Sequence, residues 1–280
     1  MIMISEYLFD EIPFKYVYLN GIVRDEKGRK MSKTLGNSPD PLDLIDKYGA
    51  DAIRFSLLYN TSQGQDIFFS EKLLEMGANF SNKVWNASKF VLQNLEDFDY
   101  KTSISDLEFK LEDRWILSKL QNAAKGVNNA LDGYELDMAA KTAYEFFRGE
   151  FCDWYVEAAK TRVYGGDEQD KKTAQWVLRH ILDNGLKLLH PFMPFITEEL
   201  WQKVKLDGDT IMLSDFPKCD EALLDKEAEV DFDYLKEVIT AIRNIRGEVN
   251  VPPSKKIEVI FKTNNESERN VLEKNAKILD

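Results

Sequence analysis

Histidine and cysteine are the scarce residues of this chain, two of each in 280, and their scarcity removes whole classes of chemistry. His180 and His190 alone supply too little imidazole for a zinc site or a His-based triad. Cys152 and Cys219 stand far apart in sequence and neither has a metal-spaced partner, so a reduced, cytoplasmic setting with packed or surface thiols is expected. There is no long apolar run, and the opening Met1-Ile2-Met3-Ile4-Ser5-Glu6 lacks a basic leader, so neither a membrane span nor a signal peptide is expected. No repeat or low-complexity tract is visible. With 44% apolar residues the chain can still bury a large core, and its length suits two or three units.

Positive charge is also in deficit, with a net charge of -12, but the deficit is local. Residues 206–237 hold eleven acids against Lys218, Lys226 and Lys236, a balance of -8. Other faces are therefore free to be basic, as residues 240–256 are, with Arg243, Arg246, Lys255 and Lys256 against Glu248. Such a distribution leaves room for a nucleic-acid partner, whose affinity depends on phosphate neutralisation.

The sharpest contrast lies in residues 14–37, where Lys15, Arg24, Lys27, Arg29, Lys30 and Lys33 face only Asp25 and Glu26, a balance of +4. Residues 14–19 are aromatic and alternate poorly, as a buried strand of a parallel sheet does. A polar turn through Gly28 leads to Arg29-Lys30-Met31-Ser32-Lys33-Thr34-Leu35-Gly36-Asn37. Two lysines three apart, interleaved with Ser32 and Thr34 and bracketed by Gly28 and Gly36, form a loop able to lay ammonium groups and hydroxyls on a polyphosphate. Donors that tighten as charge develops on a leaving phosphate lower the barrier to its departure. A solvated hairpin tip is the plain alternative.

Residues 1–13 form a short amphipathic lead. Asp40 before Pro41 predicts a helix start. Gly49 then interrupts, and residues 50–59 predict a second helix with Ile53, Leu57 and Leu58 on its apolar side. Residues 61–70 are a polar connector. From Glu71 the periodicity turns helical over long stretches. One stripe runs Leu73, Gly77, Phe80, Val84, Ala87, Val91, Leu95. A second uses Trp115 or Ile116 with Leu120, Ala123, Val127 and Ala130. A third uses Ala139, Ala143, Phe147, Phe151, Trp154 and Ala158, and a fourth Ala174, Val177, Leu178, Ile181, Leu182, Gly185 and Leu189. A short fifth helix follows the break at residues 190–195. Amphipathic helices with short links predict a bundle, with Trp85, Trp115, Trp154 and Trp201 in its core. Beyond it come the acidic connector, a helix over residues 229–247 stopped by Pro252-Pro253, a strand over residues 256–262, and a helix from Glu266 to the end.

Lys30-Met31-Ser32-Lys33-Thr34 resembles the KMSKS signature loop of class I aminoacyl-tRNA synthetases, with Thr34 in place of the last serine. Gly36-Asn37, Asp40-Pro41, Tyr48-Gly49-Ala50-Asp51-Ala52 and Arg54-Phe55 are similar to the segment that follows it in the valyl, isoleucyl and leucyl members. Asn79-Phe80, Asn82-Lys83, Trp85-Asn86-Ala87, residues 151–155, residues 189–201, residues 242–246 and Val251-Pro252-Pro253-Ser254-Lys255-Lys256 are similar to landmarks of their anticodon-binding domain. Gly64-Gln65-Asp66-Ile67 and the Asn-Val-Pro-Pro-Ser run resemble the valyl form. Asn20, where a histidine is usual, and Ser38-Pro39, where two aliphatic residues are usual, depart from the pattern.

The resemblance implies a mainly α fold. Residues 1–70 would hold the last strand of a Rossmann-like catalytic core, the KMSKS loop and the stem-contact helices. Residues 71–205 would be the anticodon-binding helical bundle, and residues 206–280 a truncated α/β appendage. It implies a monomeric, cytoplasmic parent enzyme that joins valine to ATP, with Mg2+, and passes the valyl group to tRNA(Val). Lys30 and Lys33 would be catalytic, stabilising the departing pyrophosphate, and Lys30, Met31, Ser32, Lys33 and Thr34 would bind ATP. Lys72 and Phe90 would contact bases and Lys83 and Lys89 phosphates, unless Phe90 is a core aromatic and the lysines merely solvate their helix. No metal-binding residue is expected. The His-Ile-Gly-His signature of the family is missing, and so is the inserted editing domain; the chain alone should bind no cofactor and be inactive. An isoleucyl counterpart and a freestanding tRNA-binding protein are the alternatives, and in-frame codons upstream of Met1 would argue against the latter.

Overall fold

A computed structural model describes residues 1–204, 208–252 and 255–279. Helix α1 (Ile2–Phe9) leads into irregular chain and then β1 (Val23–Arg24), which pairs in parallel with β2 (Ile67–Phe68), Val23 opposite Ile67 and Arg24 opposite Phe68. Between the strands lie α2 (Pro41–Tyr48) and α3 (Ala50–Tyr59). Helix α2 starts where the sequence predicts, with Pro41 in its first turn and the Asp40 carboxylate accepting from the Leu42 amide. Gly49, at φ 88°, breaks the chain between the two helices. At Gly21 a Cβ would stand 1.7 Å from the Gln65 carbonyl oxygen, so only glycine lets the two strands' lead-ins meet.

Two predicted strands do not form. Residues 14–19 form no strand and pair with no other, and Tyr16, Val17 and Leu19 are each about 70% exposed. Residues 256–262 are likewise unpaired and exposed. A strand needs a neighbour to bond, and among the described residues neither segment has one. Conversely, the polar connector at residues 61–70 contains β2, because Asp66 ties it back: its carboxylate accepts from the Ile22 amide at 2.7 Å and from Arg24 Nε at 2.5 Å. On α3 the buried side is Ala52, Phe55 and Ser56, while Ile53, Leu57 and Leu58 are half-buried.

The remaining helices build one core. They are α4 (Glu71–Gln93), α5 (Leu111–Asp132), α6 (Leu136–Tyr144) running through a π-helical stretch (Glu145–Tyr155) into α7 (Val156–Gly165), α8 (Glu168–Leu189), α9 (Pro194–Trp201) and α10 (Lys226–Glu248), with α11 (Glu266–Lys274) and α12 (Ala276–Leu279) at the end. The first stripe is buried as predicted except that Leu74, not Leu73, opens it. Trp115 and Ile116 are both fully buried, and the fourth stripe is buried throughout. The third stripe shifts: Trp154 and Ala158 are only partly buried, and Tyr155, Ala159 and Val163 take the core positions. That buried set repeats every four residues from Ala139. An α-helix of 3.6 residues per turn rotates such a stripe steadily round its axis, and the wider i→i+5 winding of the π stretch turns it back. Trp201 is buried as predicted, but Trp85 is 42% exposed.

Helix α3 locks the lysine-bearing segment to the bundle. A Cβ on Gly77 of α4 would meet the Ala52 carbonyl oxygen and Ser56 Oγ at 2.4 Å, so the two helices touch backbone to backbone. Phe55 sits among Tyr59, Phe80 and Tyr144. Asp51, buried, accepts from the amides of Phe195 (3.3 Å) and Ile196 (2.7 Å), supplying the α9 N-terminus with partners its own sequence lacks. Burial pushes the Asp51 carboxyl up despite those bonds.

On the far side, Arg162 of α7 is 4% exposed and bonds Asp113 (2.6 Å), Asp170 (2.7 Å) and Glu112 (3.2 Å), while the Tyr155 hydroxyl donates to Asp113 (2.7 Å). Helix α10 is tied to α5 by Asp225, just before its first turn, on Arg114 (2.8 Å), by Asp233 on Lys119 (2.8 Å) and by Phe232 stacked on Trp115. Asp207 of the acidic connector, the predicted boundary at Lys205, and Pro253 and Ser254 of the Pro-Pro motif lie outside the described residues, as does Asp280.

Candidate functional site

The lysine loop is held from behind by one carboxylate. Asp25 opens a turn closed by the Gly28 amide donating to its carbonyl at 2.9 Å, with Gly28 at φ 77°. Its side chain accepts from the amides of Lys27 (3.0 Å) and Arg29 (2.8 Å), from Arg29 Nε (2.8 Å) and from Asn37 Nδ2 (2.9 Å). The Asn37 bond, with those from Arg29, holds the Asp25 carboxyl well below the usual carboxylate range. Asn37 spans the loop: it accepts from the Ser32 amide at 2.9 Å and donates to the Lys30 carbonyl at 3.3 Å. Residues 30–37 are thereby pinned at both ends, while Gly36, at φ 61°, turns the chain back.

What this frame presents is cationic. Lys30, Lys33 and Thr34 are exposed, Met31 and Ser32 are half-buried, and among the described residues neither lysine has an ion-pair partner. Ser32 Oγ accepts from the Leu35 amide at 3.2 Å, which leaves its hydroxyl proton to donate outward. The five predicted loop residues thus lie together, with two uncompensated ammonium groups and two hydroxyls. Such a set fits a polyphosphate. Asp25 and Asn37 were not anticipated, although Asp followed by Gly three residues later is a turn signature.

The predicted RNA contacts share α4 without forming one cluster. Lys72 is exposed in its first turn and Phe90 lies in its last, about 27 Å apart at 1.5 Å per residue. Lys83 pairs with Asp153 at 2.6 Å, whereas Lys72 and Lys89 are exposed and without a carboxylate among the described residues. Phe90 is half-buried against the core, with Tyr164 edge-on at 6.3 Å and Lys160 at 5.8 Å from its ring. Trp85, expected in the core, stands on the outside of the same helix.

His180 and Cys152 serve packing. His180 lies parallel to Trp176 at 4.9 Å, and burial pulls its pKa down to about 4. Cys152 is buried and its thiol pushed up to about 12. Among the described residues no group of three or more His, Cys, Asp or Glu is placed to hold a metal ion, and no helix is long and apolar enough to cross a membrane.

Comparison with known proteins gives a consistent pattern. Residues 113–261 match the family described as the anticodon-binding domain of tRNA ligase, and residues 1–70 match tRNA synthetases class I (I, L, M and V). The valine–tRNA ligase of Fusobacterium nucleatum is 58% identical over 280 residues, 98% of this chain and 32% of its own length. That of Fervidobacterium nodosum is 47% identical over 94% of this chain and 30% of its own, and that of Bacillus cereus 45% over 96% and 31%. The chain therefore spans about a third of the length of these curated relatives. Among solved structures, the LeuRS of Agrobacterium radiobacter K84, in a ternary complex with tRNA and LeuAMS, superposes with a TM-score of 0.63 at 25% identity, over 80% of this chain and 27% of that one. Methionyl-tRNA synthetase of Mycobacterium tuberculosis, with a TM-score of 0.56 at 22% identity, over 68% of this chain and 38% of its own, shares the fold.

Proposed function

We propose that this chain, which belongs to the anticodon-binding-domain family of tRNA ligases, is the part of a valine–tRNA ligase that supplies the lysine loop and the anticodon-binding bundle. The whole enzyme activates valine with ATP, giving valyl-adenylate and pyrophosphate, and transfers the valyl group to tRNA(Val). The observation that carries this is the pair Lys30 and Lys33, exposed and without carboxylates among the described residues, on a loop that Asp25 and Asn37 hold in shape. Lysine ammonium groups so placed neutralise charge growing on a departing pyrophosphate, and Ser32 and Thr34 add hydroxyl donors. Mg2+ enters with the nucleotide rather than on a cluster of this segment. The segment divides at about residues 70 and 205 into a loop-bearing unit, a bundle and a C-terminal appendage. Lys72 and Phe90 of α4 contact bases, Lys89 meets the RNA backbone, and Lys83 joins it by exchanging Asp153 for phosphate. The parent is a monomer of the cytoplasm.

The test has two arms. The chain binds tRNA(Val), weakly and with steep salt dependence, and by itself catalyses no valine-dependent exchange of pyrophosphate into ATP. Absence of tRNA binding at low salt contradicts the first part, and measurable exchange contradicts the second.

A further inference from the structure

Taking the lysine loop as the part of the ligase that meets pyrophosphate, β1 shows what sets the loop's position. The strand is bonded along both edges. On one edge the Ile67 amide donates to the Ile22 carbonyl at 3.0 Å and the Phe69 amide to the Arg24 carbonyl at 2.8 Å, which lays the leader of α4 beside it. On the other the Met31 amide donates to the Val23 carbonyl at 3.2 Å and the Asp25 amide to the Arg29 carbonyl at 2.9 Å, with Arg24 bridging Lys30. One set of side-chain bonds crosses this ladder. Asp66, of the Gly64-Gln65-Asp66-Ile67 motif, accepts from the Ile22 amide (2.7 Å) with one oxygen and from Arg24 Nε (2.5 Å) with the other. Arg24 Nη1 then donates to the Gly28 carbonyl (3.2 Å) in the turn that leads to the loop. The Ile22 and Arg24 bonds hold the Asp66 carboxyl below its ordinary range, so it stays charged at neutral pH.

Resting on that reading of the loop, we infer that Asp66 is a positioning residue for pyrophosphate departure: through Arg24 it fixes the base of the lysine loop against the leader of α4. Strands β1 and β2 are two residues each, too short to hold a register by their own ladder. A charged clamp spanning both oxygens of Asp66 supplies what they lack. The Arg24 and Asp66 side chains are each 31% exposed, and a pair so open to water adds little to stability. A shift of about 1 Å in a group that meets the reacting atoms nonetheless slows catalysis severely. The clamp is therefore felt in rate and not in fold. Pyrophosphate leaves when valyl-adenylate forms and is absent when the valyl group passes to tRNA, so the first step alone depends on Asp66.

The complete ligase carrying this segment tests it, with two rates measured in each variant: valine-dependent exchange of pyrophosphate into ATP, and transfer of the valyl group from adenylate already formed on the enzyme to tRNA(Val). Lys33→Ala is the reference and slows exchange. Asp66→Asn and Arg24→Gln each lower kcat for exchange about tenfold or more, while transfer and the thermal midpoint stay at their wild-type values. The double variant is no slower than the worse single one, because the two residues act as a unit. In the 280-residue chain, Asp66→Asn also speeds hydrogen exchange at the Met31 amide. Unchanged pyrophosphate exchange in Asp66→Asn, additive losses in the double variant, or an equal loss of both steps would each overturn the positioning role. If Lys33→Ala leaves pyrophosphate exchange untouched, the reading of the lysine loop itself fails, whatever Asp66 does.

Discussion

Asp25 illustrates how one residue fixes what a loop can do. It contributes no charge to a phosphate, yet its four accepted hydrogen bonds hold the shape from which Lys30 and Lys33 project. Asp25→Ala therefore speeds hydrogen exchange at the Lys27, Arg29 and Ser32 amides while the thermal midpoint of the bundle stays put; unchanged exchange at all three would show the loop is held otherwise. His180 gives a second prediction at this scale. Its folded pKa of about 4 lies below the ordinary 6.5 because burial disfavours the charged ring. The stability it confers is thus fully present above pH 6.5 and lost as pH falls towards 4, up to about 3 kcal/mol. Urea midpoints should fall more steeply over that window for wild type than for His180→Phe, which keeps the stack on Trp176; parallel curves contradict it. The Asp25–Gly28 spacing signals a turn but not the bonds to Asn37, and nothing in the sequence marks His180. Burial of a particular ring depends on tertiary packing, and Asp25 read as one more charge in a basic segment.

At the scale of elements, helices were legible and strands were not, for a physical reason. A helix satisfies its own backbone, so the apolar spacing of α4, α5 and α8 suffices to place them. Residues 14–19 and 256–262 have strand-like composition but no partner among the described residues, and β2 was missed because Asp66 and Gly21, not apolar alternation, bring it to β1. The shift of the third stripe to Tyr155 and Ala159 needed the π stretch, which no spacing announces. The meeting of α3 and α4 at Gly77 yields a direct test. Gly77→Ala forces a Cβ into the Ala52 carbonyl oxygen at 2.4 Å and should cost about 1–3 kcal/mol by urea unfolding, with amides of α3 losing protection. A neutral substitution would mean that the two helices part easily.

For the molecule as a whole, some carboxylates are taken up in ion pairs that join helices, while particular cations are left outside without partners among the described residues. Arg162 joins α5, α7 and α8 through Asp113, Glu112 and Asp170, and Lys119 and Arg114 anchor α10. Arg162→Met strands buried carboxylates and should destabilise the chain by about 3–5 kcal/mol; a urea midpoint within error of wild type would show that the cluster is already compensated. Lys30, Lys33, Lys72 and Lys89 remain unpaired among the described residues, on the loop and on α4. The family resemblance made the loop lysines and those of α4 legible, while the division between spent and free charge appeared only in the fold. The central claim is that the helical unit inspects an anticodon. Titrating the chain with tRNA(Val) and with the same tRNA altered only in its anticodon tests it most directly: the altered tRNA should bind about tenfold more weakly at equal salt, and equal affinity for the two would contradict the account.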